Sequence, residues 1–449
     1  MSTDATQYAW VPPEYNASRE PTPSWKDNLV HDPSFPDNFA RSARWCPDGS
    51  LALAQCENRT LQYLDLMYAF HSQRRLDFHT VVSPASGAPL PSNRTIAQAA
   101  PILDFIWYPR ATPHDPASFC FVTSVRDTPV RLMDASDGRL RASYKIVDHR
   151  ERQIGPHSLA FNPSAEKLYC GFEDAIEVFD LNYPGEGTRL ATTPSRKSRD
   201  GLKGIISALA FCPSYDPSYS FFAAGSLSPP QSGSANVALF SEDTGEKPVG
   251  WVGDIKASVT QLAFNPIKPH LLYGSFRRHN ALYSWDLRGD TTVPLQIFRP
   301  GAESRIETNQ KIKFDIDIGG KWLSVGDERG DISMFALDET SASESLTANG
   351  VGCDIEPSLR YHAHDDTVGS VAFHPLQPLL LSVSGSRHFD LNEERPTQPG
   401  DLEELGSSTS ESDESDEEKE EKFVKRQRRR RQPATRDSSY RLWRFDNLV

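Results

Sequence analysis

Leu282-Tyr283-Ser284-Trp285-Asp286-Leu287 closes a unit that opens near Phe264-Asn265-Pro266 and passes through Gly274-Ser275. The unit is an apolar strand ending at an aromatic and a proline, a polar turn, a second strand running into small residues, and a third strand ending in an aromatic and Asp. Read outward from this copy, the pattern occurs seven times. Its anchors are Trp45-Cys46-Pro47, Trp107-Tyr108-Pro109, Phe161-Asn162-Pro163, Phe211-Cys212-Pro213, Phe264-Asn265-Pro266, Phe314-Asp315-Ile316 and Phe373-His374-Pro375, spaced 62, 54, 50, 53, 50 and 59 residues apart. Only the sixth lacks the proline. Third strands are expected at Leu61–Leu66, Val130–Asp134, Ala175–Asp180, Asn236–Phe240, Leu282–Asp286, Ile332–Phe335 and Tyr440–Phe445. Short segments rich in β-branched, Leu and aromatic residues, separated by polar turns, are sheet strands. Repeated small sheets that cannot bury their faces alone predict an all-β, seven-bladed propeller.

The seventh copy is split. Its second strand reads as Leu379–Ser384, but its third arrives only at Tyr440–Phe445, with four residues left after it. An open sheet edge needs pairing or protection, so the segment around Trp25–Val30 is expected to close the last blade from the other end of the chain. The expected organisation is a flexible leader over 1–24, blades with their closing strand over 25–389, a disordered charged insert over 390–437, and the last-blade strand and C-terminus over 438–449.

The repeat fills most of the 449 residues, so one large ring is a better count than several domains. The six cysteines are scattered without ligand-like pairs, which reads as structural use in strands. The N-terminal stretch has no apolar core like a signal peptide's, and no run approaches the roughly 20 apolar residues of a membrane span. A soluble, intracellular, monomeric propeller with no membrane association is expected.

Residues 390–421 carry 14 acidic side chains against Arg395 and Lys419, a net of −12, too polar to bury a core. Residues 422–436 then carry +8, so the whole insert contributes −4 of the chain's −13. The block Lys425, Arg426, Arg428, Arg429, Arg430 and Arg431 reads as a nuclear import signal, as a direct polyphosphate contact, or as neutralisation of the adjacent acidic run. Ser410 and Ser415, each with an acid three residues later, fit an acid-directed kinase.

In a ring of such blades, turns between second and third strands open on the same end as the links from blade to blade. The candidates for binding RNA there are Arg126, Arg152, Arg196, Lys197, Arg277, Arg278, Arg305, Lys311 and Arg387, with Arg360, His362 and His388 mapped to the same rim. Arginine pairs two donors with phosphate and stacks on unpaired bases. The competing reading is an ordinary solvated rim. Trp107 and Trp285 read as core, and His364 as a structural histidine joining neighbouring strands. No phosphate-cradling Gly-rich loop with a following Lys, no HExxH and no nucleophile elbow occurs, so no catalytic residue, metal or cofactor is expected.

The repeats resemble WD40 repeats, notably Leu282–Leu287 and Tyr440–Phe445. Asn38-Phe39 through Ser50, Arg126–Ala135 with Gly138–Tyr144, His157–Phe161, Leu168-Tyr169-Cys170-Gly171-Phe172, Gly204–Ser207 and Asn309–Ile312 further resemble the telomerase Cajal body protein family. That resemblance implies a seven-bladed propeller that recognises a loop element of small Cajal body RNAs and telomerase RNA: a nuclear, non-catalytic RNA-binding scaffold partnered by RNP proteins. A fungal-type relative is associated with pre-mRNA splicing, so small RNP assembly is the broader expectation. The alternative class is a protein-only scaffold using the same rim for an acidic peptide or histone tail.

Overall fold

The chain's first strand, β1 (Thr22–Asn28), lies in its last sheet. The computed structural model describes residues 11–64, 66, 94–195, 201–216, 220–228, 235–243, 247–253, 255–301, 308–337, 352–389 and 434–445. Among them, seven antiparallel blades form a propeller. From the inside outward, blade one is β2 (Ala40–Trp45), β3 (Ala52–Cys56), β4 (Thr60–Leu64) and β5 (Thr95–Ala97). Blade two is β6 (Ile102–Trp107), β7 (Cys120–Val125), β8 (Val130–Asp134) and β9 (Leu140–Tyr144). Blade three is β10 (Ser158–Phe161), β11 (Lys167–Phe172), β12 (Ala175–Asp180) and β13 (Thr188–Ala191). Blade four is β14 (Ile206–Phe211), β15 (Phe221–Ser226), β16 (Val237–Ser241) and β17 (Pro248–Val252). Blade five begins β18 (Val259–Phe264), β19 (Leu271–Phe276), β20 (Leu282–Asp286), β21 (Gln296–Phe298). Blade six is β22 (Asp315–Ile316), β23 (Trp322–Gly326), β24 (Asp331–Ala336) and, after β25 (Cys353–Ile355), β26 (Leu359–His362). Blade seven is β27 (Val368–Phe373), β28 (Leu379–Ser384), β29 (Ser439–Arg444) and, on the outside, β1.

The physical unit of stability is the gap between blades. Among the described residues, seven buried clusters occur, and each joins two consecutive blades. The cluster at the joint sets Ala43, Trp45 and Leu64 of blade one against Ala372, Leu381 and Leu442 of blade seven. No repeat owns a core, which is why the units must close on one another. The expected core tryptophans take part: Trp107 is 6% exposed and Trp285 fully buried. Trp45 Nε1 donates to Ala372 O and Trp107 Nε1 to Arg44 O, both at 3.1 Å, so these two anchors also reach back to the preceding inner strand.

The blades are latched to one another in a full circle of hydrogen bonds. Gln55 Nε2 donates to Ile102 O (2.7 Å), Leu159 N to Asp104 Oδ2 (3.0 Å), Ser158 Oγ to Ile206 O (2.8 Å) and Ser207 Oγ to Val259 O (2.7 Å). Phe314 N donates to Gln261 Oε1 (3.1 Å), Phe373 N to Asp315 Oδ2 (2.8 Å) and Ala43 N to Ser370 Oγ (2.9 Å).

Strands β8, β12, β20 and β28 coincide with the segments read from sequence. Two departures are informative. Within the stretch read as a flexible leader, Tyr15, Ala17 and Pro21 are buried, and β1 starts at Thr22, three residues before the expected segment, pairing Trp25 with Leu442 and Asp27 with Tyr440. Blade five has a fifth strand, because the link between β24 and β26 runs back to lay β25 parallel to β21 and cover its open edge.

Candidate nucleic-acid interface

The hairpins carrying the proline anchors open at one end of the ring, while the turns after each second strand and the links between blades open at the other. Arg126 lies in the β7–β8 turn, Arg277 and Arg278 in the β19–β20 turn, Arg387 between β28 and β29, Arg152 in the β9–β10 link and Lys311 in the β21–β22 link. All six share that second end. Arg196, Lys197, Arg305, Lys425, Arg426, Arg428, Arg429, Arg430 and Arg431 lie outside the described residues.

Turn geometry explains why two arginines hold equivalent places. Asp127 and Arg278 both adopt left-handed φ, 56° and 58°, as do Arg59 and Asp174 at the matching turns of blades one and three. The first residue after the second strand in these turns is Glu57, Arg126, Glu173 and Arg277; it directly precedes the left-handed residue in blades two, three and five and stands two before it in blade one. In blade one it is an acid, and its buried carboxylate takes both Arg41 and Arg387.

Arg126 and Arg277 meet other cations instead. The His157 imidazole is held below its ordinary pKa first by burial and then by Lys311 and Arg126. Lys311 is lowered by burial, opposed by Asp104 and reinforced by Arg277 and Arg41. Lys313 is pushed down to about 7, first by burial, then by Lys311, with Asp104 opposing and Arg44 adding to the shift. Arg41 and Arg44 lie in β2, Asp104 in β6, His157 just before β10, Arg126 just after β7, Arg277 just after β19 and Lys311 and Lys313 just before β22, so inner strands and turns of blades one, two, three, five and six bring them to the mouth of the central channel. Each lysine retains some surface within the channel while being withdrawn from bulk solvent. Deeper, Asp315 has its carboxyl raised to about 7 by burial and accepts from Phe373 N at 2.8 Å.

Other members of the expected rim are engaged elsewhere. Arg152 is tied to Asp148 of its own loop at 3.2 Å, and Arg278 Nε donates to Asn309 Oδ1 at 2.8 Å. Arg360 and His362 belong to the outer strand β26, where Arg360 meets Asp331 (2.8 Å) and Asp327 (3.2 Å) and His362 meets Asp331 (2.8 Å). His364 is structural: Nε2 meets Ser382 Oγ at 2.7 Å, Nδ1 meets Asp437 at 3.2 Å, and Ser382 also accepts from Trp443 Nε1 at 2.9 Å. The broad rim read from sequence thus contracts to a smaller cationic mouth, continued outward by a cleft between blades five and six lined by Arg277, Arg278, His279, Gln310, Glu328 and Arg360.

Arg41, Arg44 and Lys313 were missed because they sit in or beside inner strands rather than in loops. The signal was present: Lys311-Ile312-Lys313-Phe314-Asp315-Ile316 alternates strictly, which puts Lys311, Lys313 and Asp315 on the channel face and Ile312, Phe314 and Ile316 in the blade interface. Phe389, just beyond Arg387, is 54% exposed and offers a ring at the same end.

The stems of the charged insert also meet there. His388 and Ala434 exchange both backbone hydrogen bonds at 2.9 Å. Asp366 clasps the pair, taking His388 Nε2 (2.7 Å), Ser386 Oγ (2.8 Å) and Arg436 N (3.0 Å).

Fold and site define a WD-repeat-type propeller with a cationic channel mouth. No protein-family model matches the chain. It is similar to Telomerase Cajal body protein 1 of Homo sapiens, 31% identical over 375 residues that cover 83% of this chain and 61% of that protein. The Mus musculus protein of the same name is 29% identical over 370 residues, 82% of this chain and 62% of that one. Guanine nucleotide-binding protein negative regulator 1 of Schizosaccharomyces pombe is 26% identical over 367 residues, covering 79% and 81%. The chain spans about three fifths of the length of the Cajal body relatives, and the likeness is a distant family resemblance.

Proposed function

We propose that this protein is a non-catalytic nuclear scaffold that binds a small structured RNA at the cationic end of the ring and assists small RNP assembly or localisation. The observation that carries this reading is that the turns and inner-strand ends of four blades bring Arg126, His157, Arg277, Lys311 and Lys313 to one channel mouth. A chain of net charge −13 has no general attraction for polyanions, so a local concentration of positive charge is what such binding requires. Likeness to proteins named for telomerase and the Cajal body supports an RNP setting. Arg278 and Arg387 extend the surface, Arg152 marks its margin, and Phe389 is placed to stack an unpaired base. Arg196, Lys197 and Arg305, outside the described residues, are retained as proposed contacts.

Binding to a structured small nuclear RNA pool and to a length-matched homopolymer, each at two salt concentrations, tests the reading. Selective binding that survives the higher salt is expected, whereas salt-labile binding indifferent to RNA structure reports charge alone. Changing Arg277, Arg278 and Arg387 together to Ala should weaken RNA binding while the ring stays folded, since Arg41 still neutralises Glu57. Unaltered affinity in the folded triple variant removes these residues from the site. The block Lys425–Arg431 supplies nuclear import in this reading; replacing its basic residues with Ala should redistribute a fluorescently tagged chain to the cytoplasm, and unchanged nuclear accumulation would refute that role.

A further inference from the structure

Lys311 and Lys313 stand two residues apart on the channel face of blade six. Lys313 Nζ donates to Thr260 O of blade five at 3.3 Å, which fixes it across the inter-blade gap. At the same end, Arg277 follows β19 of blade five, Arg126 follows β7 of blade two with its backbone against Gly155, two residues before His157 of blade three, and the Arg41 backbone of blade one and the Gln310 side chain next to Lys311 both lie against Gly369. Basic side chains therefore face the mouth from most of its circumference.

The acids of the same region are already committed. Asp104 is paired with Arg44 at 3.1 Å and accepts from Leu159 N at 3.0 Å. Glu57 is shared by Arg41 and Arg387, and Asp315 accepts from Phe373 N. Among the described residues, Arg126, Arg277, Lys311 and Lys313 form no ion pair. Cations withdrawn from bulk water beside an acid, Asp104, that Arg44 already holds raise the energy of the empty site, and an incoming anion relieves it. The donors approach from several blades in different directions, which suits an oxyanion presenting several oxygens better than a planar carboxylate.

We propose that the channel mouth is a built site for one tetrahedral oxyanion, a phosphate group seated on Lys311 and Lys313 and flanked by Arg126, Arg277 and His157. The inference deepens the RNA reading by naming which part of the polymer enters the channel: a terminal or backbone phosphate rather than a base. A free polyphosphate presents the same chemistry, and the two sources separate experimentally.

The test uses the full chain at constant, near-physiological ionic strength, with inorganic sulfate and inorganic phosphate as calorimetric probes. Saturable 1:1 binding is expected, weakened at least about tenfold in Lys311→Met and in Lys313→Met, as loss of one charge-assisted donor predicts. Lys167→Met, in a proline-end hairpin, changes net charge equally and should leave affinity unchanged. Non-saturable binding, or equal loss in Lys167→Met, overturns the proposal. Removing a cation withdrawn from water does not threaten folding, so both variants remain informative; circular dichroism checks this. Structured RNA with and without a 5′-phosphate, and tripolyphosphate as competitor, then identify the carrier. RNA binding indifferent to both lysine variants overturns the phosphate site and leaves the RNA reading intact. Sulfate binding that obeys the variants, without any RNA affinity, does the reverse.

Discussion

Tyr15→Ala should weaken the entire ring, although Tyr15 lies outside every repeat. The ring is 6% exposed, packed edge-on against Phe373 at 4.9 Å and Phe445 at 5.7 Å between centroids. Its hydroxyl faces two backbone acceptors, Gln377 O at 3.2 Å and His374 O at 3.4 Å, and has one proton to share between them. Burial, then Asp317 and Asp315, push its pKa upward, so it stays protonated. Truncating a buried aromatic to Ala costs about 3–5 kcal/mol, edge contacts included. The hydrogen bonds are long, so Tyr15→Phe should cost only about 0.5–1 kcal/mol. Against a typical domain stability of about 5–15 kcal/mol, the first change is large and the second small. Urea unfolding followed by tryptophan fluorescence measures both. The midpoint should fall in Tyr15→Ala with an unchanged slope, because each core is shared by two blades and the ring should unfold as a unit. A Tyr15→Ala midpoint indistinguishable from wild type would refute the claim that this segment fastens blade seven, and a loss equal to that of Tyr15→Phe would assign the effect to the hydroxyl.

Lys313 gives a stability prediction with a definite sign. Its folded pKa of about 7 lies below the ordinary lysine value of about 10.4. Between those two values the unfolded chain binds more protons, so wild type gains stability as pH rises, and below about 7 the penalty is complete. Lys313→Met should therefore be the more stable protein near pH 6, with an advantage that shrinks toward pH 10; a gap that stays constant across that range refutes the assignment. Sulfate affinity of the wild-type chain should fall over the same rise in pH as Lys313 loses its proton, with Lys311, Asp104, Arg44 and Asp315 the other charged groups near it.

The repeat was legible because each blade writes the same local instructions: an aromatic and a proline end the inner strand, and a polar turn returns the chain. Val130–Asp134, Ala175–Asp180 and Leu282–Asp286 could be placed to the residue for that reason. What escaped depends on non-local pairing. Nothing near Cys353 announces a parallel partner in Gln296–Phe298, and nothing near Tyr15 announces Phe373 or Phe445. The candidate site was half legible. Loop class put Arg126 and Arg277 in turns that open on one end, but loop class alone cannot separate cations facing the channel from those neutralised by a neighbour, as Arg152 is by Asp148 and Arg360 by Asp331. The alternation from Lys311 to Ile316 held the missing information.

The paired backbone of His388 and Ala434 brings the chain back to the point where it left, so blade seven is indifferent to how much polypeptide intervenes. Lengthening a loop whose ends are already joined costs only about 0.6 kcal/mol per doubling. Such a gate tolerates drift in the number and kind of residues it carries, and equally tolerates an engineered cargo. A fluorescent or affinity module grafted between residues 389 and 434 would arrive beside the channel without taxing the geometry of any strand, with Asp366 acting as the buckle that keeps the graft from loosening the blade.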